Sequence, residues 1–109
     1  DTAEFVVVVL TTAPNLGDAE HIARGLVELR HAACVNVVPG VRSFYRWQGS
    51  IEEDQEVQLV IKTTRACIEP LQAWLEENHP YDVPEFVMLS ADGSDDYLRF
   101  VREATAPER

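Results

Sequence analysis

Residues 32–64 constrain the fold more than any other stretch. They read AACVNVVPGVRSFYRW, then QGS, then IEEDQEVQLVIKTT. Both arms carry the β-branched and aromatic residues typical of strands, and Gln-Gly-Ser between them has the chemistry of a hairpin turn. In the return arm Val57, Leu59 and Ile61 share one face, while Glu56, Gln58, Val60 and Lys62 share the other. Arms of about 15 residues at ~3.3 Å per residue span roughly 50 Å. A compact domain of this length has a radius of gyration near ~14 Å. The hairpin must therefore bend at Pro39-Gly40, protrude from the body, or do both.

The flanking segments supply the body. EFVVVVLTT is a β-branched strand, apolar on both faces and hence central and covered twice. APNLGDAE turns into a helix, with Asp18 the expected N-cap. Ala19, Ile22, Ala23, Leu26 and Val27 form its apolar stripe, and it runs to about Arg30 or His31. A second helix starts near Ala66 or Cys67, because Pro70 is tolerated only in a first turn. Its inner stripe is Ile68, Leu71, Trp74, Leu75 and Asn78, and Pro80 ends it at Asn78 or His79. PEFVMLS reads as a fourth strand. Ser94 caps a last helix, with Asp95 and Asp96 in its first turn, where the helix dipole favours acids. The order β-α-β-β-α-β plus a terminal helix is that of an α+β, ferredoxin-like split βαβ sandwich, here one domain over residues 1–109.

This fold puts both long helices on one face of the sheet, yet the first strand is apolar on both. The short last helix could cover part of the other face. A neighbouring copy gripped by the protruding hairpin would cover more, which points to a homo-oligomer.

Composition narrows the partners. Nine basic and 19 acidic residues give a formal charge of −10. Nucleic acid and anionic membranes are excluded as partners, since both require clustered Lys and Arg. Excess acid suits cations or a cationic surface, and it also serves solubility. The two cysteines, Cys34 and Cys67, form no CxxC pair and no disulfide framework, which fits a reducing, cytoplasmic setting. The longest apolar run is too short for a membrane span. No nucleophile–base set, metalloprotease motif or phosphate loop is present, so the chain reads as a non-enzyme.

The elements A-A-C-V-N, P-G-V-x-S, Y-R-W-x-G-x-I-E, E-V-x-L-x-I-K-T and H-P-Y-x-V-P-E follow one another in order from Ala32 to Glu85. With them the chain resembles the CutA divalent-cation tolerance family from about Phe5 to Tyr97. The resemblance implies a ferredoxin-like subunit in a tight homotrimer, with long hairpins reaching across subunits as in PII-type signalling proteins. It implies a role in tolerance or weak binding of divalent metals, copper or zinc. It also places Trp47, Glu56, Lys62, Tyr81 and Glu85 near inter-subunit clefts, where they form a small-ligand site or packing anchors.

Metal ligands proposed in some family members correspond here to Thr11, Asn78 and His79, of which only His79 is a good copper ligand. His79 is either a ligand or a helix-end residue, and the helix dipole there favours its charged form. Cys34 is either a small core residue or a thiol at the edge of a subunit cleft. His21 and His31 lack ligand spacing. IEEDQE and DGSDD lack the pattern of a calcium loop and read as a solvated arm and a helix cap. Three functions remain, in this order: a trimer of metal homeostasis, a PII-like sensor or scaffold binding a small ligand or partner between subunits, and an enzyme of unknown reaction using Lys62, Glu56 and Tyr81.

Overall fold

The computed structural model describes residues 4–107. Its strands are β1 (Val6–Ala13), β2 (Cys34–Trp47), β3 (Ser50–Thr64) and β4 (Val87–Ser90). Its helices are α1 (Leu16–Glu28), α2 (Ile68–Asn78) and α3 (Asp95–Thr105). The strands form one antiparallel sheet in the order β2-β3-β1-β4, the ferredoxin-like arrangement the element pattern predicts.

β1 and β3 form the centre. Their register runs from Val6↔Thr64 to Ala13↔Val57 without a break. The odd-numbered residues of both strands face the helices. There Val9, Leu59 and Ile61 meet Ile22 and Leu26 of α1 and Leu71 and Leu75 of α2, all fully buried. Each such side chain contributes about 1.5–3 kcal/mol relative to an exposed one. On the opposite face the cross-strand pair Val6 and Thr64 is buried, as is Val101 of α3. The last helix thus covers one end of the second face and leaves the rest open.

The hairpin is as long as its sequence requires. The molecule measures 47 × 25 × 22 Å with a radius of gyration of 14.6 Å. Gln48 and Gly49 both lie at positive φ (48° and 83°), the two-residue turn whose twist matches that of its strands. At Pro39-Gly40 two residues of β2 stand opposite the single Val57 of β3, with Gly40 at φ 78°. This bulge changes which residues of β2 share a face. Before it, Cys34, Asn36 and Val38 lie beside Lys62, Val60 and Gln58; after it, Val41, Ser43 and Tyr45 lie beside Glu56, Asp54 and Glu52.

Three local expectations are corrected. The N-cap of α1 is Asn15, whose side chain accepts from the Asp18 amide at 2.8 Å, and Asp18 sits in the first turn. α1 ends at Glu28, earlier than expected, because Arg30 turns left-handed (φ 61°). β4 begins at Val87 rather than Pro84. Pro84 has no N–H to give a ladder, and Pro84 to Phe86 complete the connector instead. Ser94 does cap α3, accepting from Tyr97 N at 3.3 Å.

α1 packs on α2 through Gly25. A Cβ built there would lie 2.4 and 2.5 Å from two ring carbons of Trp74. Gly25→Ala is therefore expected to destabilise the fold by about 1–2 kcal/mol, since overpacking of ~1–3 kcal/mol outweighs the ~1 kcal/mol gain in helix propensity. Denaturant unfolding at fixed protein concentration checks this. The same change in a Trp74→Leu background is expected to be neutral or stabilising.

Candidate functional site: the foot of the hairpin

β1 stops at Ala13, opposite Val57, while β4 pairs only with Val7 to Leu10. The last three residues of β1 thus lack a strand partner on the β4 side, where a side chain serves the Thr12 carbonyl; the Thr11 carbonyl points the other way, to β3. Gln58 Nε2 donates to Thr11 O at 2.7 Å, and His79 Nε2 donates to Thr12 O at 2.7 Å. The other ring nitrogen of His79, Nδ1, accepts from the Tyr81 amide at 3.0 Å. The two rings lie 5.0 Å apart at 44°. Tyr81 is thereby aimed at Glu56, the first β3 residue beyond the reach of β1, and its hydroxyl donates to Oε2 at 2.9 Å.

A second phenol–carboxylate pair sits further out. Tyr45 OH donates to Asp54 Oδ2 across the hairpin. The Tyr45 phenol is pushed up to about 12, chiefly by that hydrogen bond. The Tyr81 phenol is raised well above the usual tyrosine range by burial, then by the hydrogen bond and charge of Glu56. Both hydroxyls stay protonated at neutral pH and act as donors locked onto carboxylates. Neither serves as a base or nucleophile. What the pair offers is a row of carboxylate acceptors, backed by aromatic rings, for a cationic or hydroxyl-bearing group.

The other residues singled out in the sequence lie apart. Lys62 donates through Nζ to Asn36 Oδ1, and its cross-strand neighbour is Cys34. Cys34 is half-buried and close to Tyr97, whose phenol is raised by burial first and then by the Cys34 thiol. Trp47 stands at the hairpin tip, 58% exposed, and Glu85 is exposed in the connector. Of the six cleft candidates, one chain brings Glu56 and Tyr81 into hydrogen-bond contact and sets Cys34 beside Lys62. Sequence reasoning missed Tyr45, Asp54 and Gln58. The two-residue turn fixes a register that sets Tyr45 and Asp54 on one face, so a signal for that pair was present. No signal pointed to Gln58, which acts on a backbone carbonyl of another strand.

The profile of the family described as "CutA1 divalent ion tolerance protein" matches residues 7–104. The chain belongs to this CutA1 family. It is similar to the divalent-cation tolerance protein CutA of Thermus thermophilus, with 50% identity over 90% of this chain and 96% of that one. It is 42% identical to the chloroplastic protein CutA of Arabidopsis thaliana over 91% of its own length, and spans 55% of that longer chain. The crystal structure of CutA1 from Oryza sativa superposes with a TM-score of 0.92 at 35% identity, covering 99% of this chain and 100% of that one.

A CutA1 chain raises the question of a metal, and the residues in the positions of interest do not fit one. Among the described residues no group of three His, Cys, Asp or Glu side chains could hold an ion. Asn78 Nδ2 donates to Trp74 O at 2.8 Å, folded back on its own helix. His79 is buried and both its nitrogens are engaged. Because its partners are a carbonyl and an amide N–H, it is the neutral Nε2–H tautomer, not the charged helix-end imidazole that the dipole argument predicts. Thr11 lies on the helix-facing side of β1, opposite Leu59, and its hydroxyl is fully buried without a partner among the described residues.

An orphaned buried hydroxyl costs about 1–3 kcal/mol. Thr11→Val keeps the branched shape and removes it, so the variant is expected to be more stable by about 1–2 kcal/mol in denaturant unfolding. A loss of stability would show that the hydroxyl has a partner.

Proposed function

We propose that the chain acts as a homotrimer in tolerance of divalent cations, copper among them, binding them weakly and catalysing no reaction. The observation that carries this is the hairpin itself. It projects from the body with apolar side chains on both faces, Trp47 (58% exposed) on one and Phe44 (61%) and Ile51 (63%) on the other. The uncovered end of the second sheet face continues it, through Val87 and Leu89 of β4 and Tyr97 of α3. The free edges of the sheet, β2 and β4, differ from each other. A head-to-tail contact between unlike edges closes into a ring when its rotation allows. Glu56 and Lys62 stand six positions apart on one strand, roughly 20 Å at ~3.3 Å per residue. Only a second copy can bring one beside the other.

Weak cation binding follows from 19 acidic against nine basic residues, with exposed carboxylates on the hairpin. His79 can join a metal only by giving up a hydrogen bond, and zinc fares no better there than copper. No described helix is long and apolar enough to cross a membrane. With two free cysteines, a cytoplasmic location completes the proposal. The Tyr81–Glu56 pair favours a second reading, in which a cleft between subunits, lined by Glu56, Tyr81, Lys62, Trp47, Glu85 and Cys34, takes a small ligand or partner in the manner of PII-type proteins.

Light scattering at micromolar concentration is expected to give three times the chain mass of 12.3 kDa. A monomer would sink the trimer. Calorimetric titration with Cu²⁺ and Zn²⁺ is expected to give dissociation constants weaker than about 1 μM. His79→Ala is expected to bind within about twofold of the unsubstituted protein. Nanomolar binding abolished by His79→Ala would overturn this account.

A further inference from the structure

We infer that His79 is a positioning residue, a neutral imidazole clamp that ties the end of β1 to the connector and so holds the Tyr81 hydroxyl on Glu56. The inference concerns contacts within one chain and is independent of the assembly proposed above.

Each contact has a chemical reason. Thr12 O can only accept and the Tyr81 amide can only donate, so a residue bridging them needs one donor and one acceptor on opposite edges. Neutral imidazole has this pattern in a rigid ring. An asparagine places an acceptor near the Nδ1 position, and a glutamine places a donor near the Nε2 position, but neither side chain does both in a fixed geometry. His79 is 8% exposed and joins segments 67 residues apart. Pro80 follows directly, so the chain between clamp and phenol is short and stiff. The hydrogen bond to the Tyr81 amide, together with the ring contact at 5.0 Å, then fixes where the Tyr81 side chain begins. From there the hydroxyl reaches Glu56 at 2.9 Å.

The same geometry argues against His79 as a resting metal ligand. The one imidazole lone pair that could take an ion, on Nδ1, already accepts from the Tyr81 amide. An ion there would displace that amide and loosen the phenol that follows it.

Two measurements test the clamp. The first leaves His79 intact. In a His21→Gln/His31→Gln background it is the remaining imidazole. Long-range ¹H–¹⁵N correlation spectra at neutral pH are expected to show Nε2 protonated and Nδ1 bare, with neither resonance moved by equimolar Zn²⁺. The opposite tautomer, or a nitrogen shifted by Zn²⁺, would overturn the inference.

The second reads Tyr81 through the clamp. In a Tyr45→Phe/Tyr97→Phe background Tyr81 is the sole tyrosine, and absorbance titration follows its ionisation. Its phenol is expected to ionise well above the ordinary tyrosine value of about 10. Asp54 and Glu56 supply the nearby charge, and Tyr45 also raises the phenol before its hydroxyl is removed. His79→Ala is expected to bring the midpoint down towards about 10. His79→Asn, which restores an acceptor for the Tyr81 amide, is expected to recover part of the rise. A midpoint unmoved by His79→Ala in a folded protein would show that Tyr81 needs no clamp, and no recovery by Asn would show that the amide contact does not transmit.

Discussion

The unbroken β1–β3 ladder is the constraint on which the rest depends. It aligns the odd-numbered residues of both strands beneath α1 and α2, and this one register buries Val9, Leu59 and Ile61 together. A slip by one residue would turn every one of them to the other face. The ladder also sets where support ends. Inside Ala13↔Val57 the sheet is packed; outside it, β2 and β3 continue as a bare two-stranded ribbon. The candidate site lies at this seam. Thr12 has a carbonyl that β4 is too short to pair, and Glu56 is the first residue β1 cannot oppose. His79 and Tyr81 are the side chains that meet them.

The ribbon beyond the seam has little to hold it in place alone. Arg42 reaches Glu53 through both guanidinium Nε and Nη2 and lies 5.4 Å from the centre of the Phe44 ring. Both partners of that ion pair are largely solvated (62% and 47%), where such pairs contribute ~0–1 kcal/mol. The Tyr45–Asp54 bond is similarly open to water. A two-stranded ribbon is marginal in water without a surface to pack against. Its exposed apolar residues on both faces therefore call for contact on both faces. The bulge at Pro39-Gly40 makes the two faces chemically distinct: tyrosines and carboxylates on one, Arg42, Phe44 and Ile51 on the other.

Most of the architecture was legible because its signals are local. The period of α1 and α2, the hairpin turn and the Ser94 cap are each written within a few residues and appear nearly as read: Val27 of the α1 stripe is exposed, and the turn is Gln48-Gly49, with Ser50 already in β3. The long hairpin was legible from arm length alone. The misses have local or long-range causes. Asn15 competed with Asp18 for one cap and won by standing one turn earlier. β4 was read as starting at Pro84 because its apolar run does, but ladder pairing is decided by β1. The site was less legible than the fold. That Tyr81 and Glu56 both matter came from family resemblance; that they touch depends on where β1 ends. The state of His79 was misjudged because the dipole of its own helix was the only neighbour visible in sequence, whereas Thr12 O, 67 residues away, sets its tautomer.

This bears on how a CutA1 chain can be linked to divalent ions without a centre for one among its described residues. A fold does not carry a function by itself; the donors at the site do. Here the imidazole is engaged by the backbone on both sides, the Asn78 amide by its own helix, and the Thr11 hydroxyl lies in an apolar core. Of these groups only the imidazole ties together the seam at which the hairpin leaves the body. The charge available to cations lies elsewhere, in exposed carboxylates of a chain with formal charge −10. Attraction of that kind raises the local cation concentration and fades with salt over a Debye length of about 8–10 Å. It favours many weak contacts over one tight one. Geometry that locks a single buried imidazole and electrostatics that spread over a surface therefore point the same way. In this chain the histidine is held by the scaffold, and the proposed weak cation binding falls to the acidic exterior.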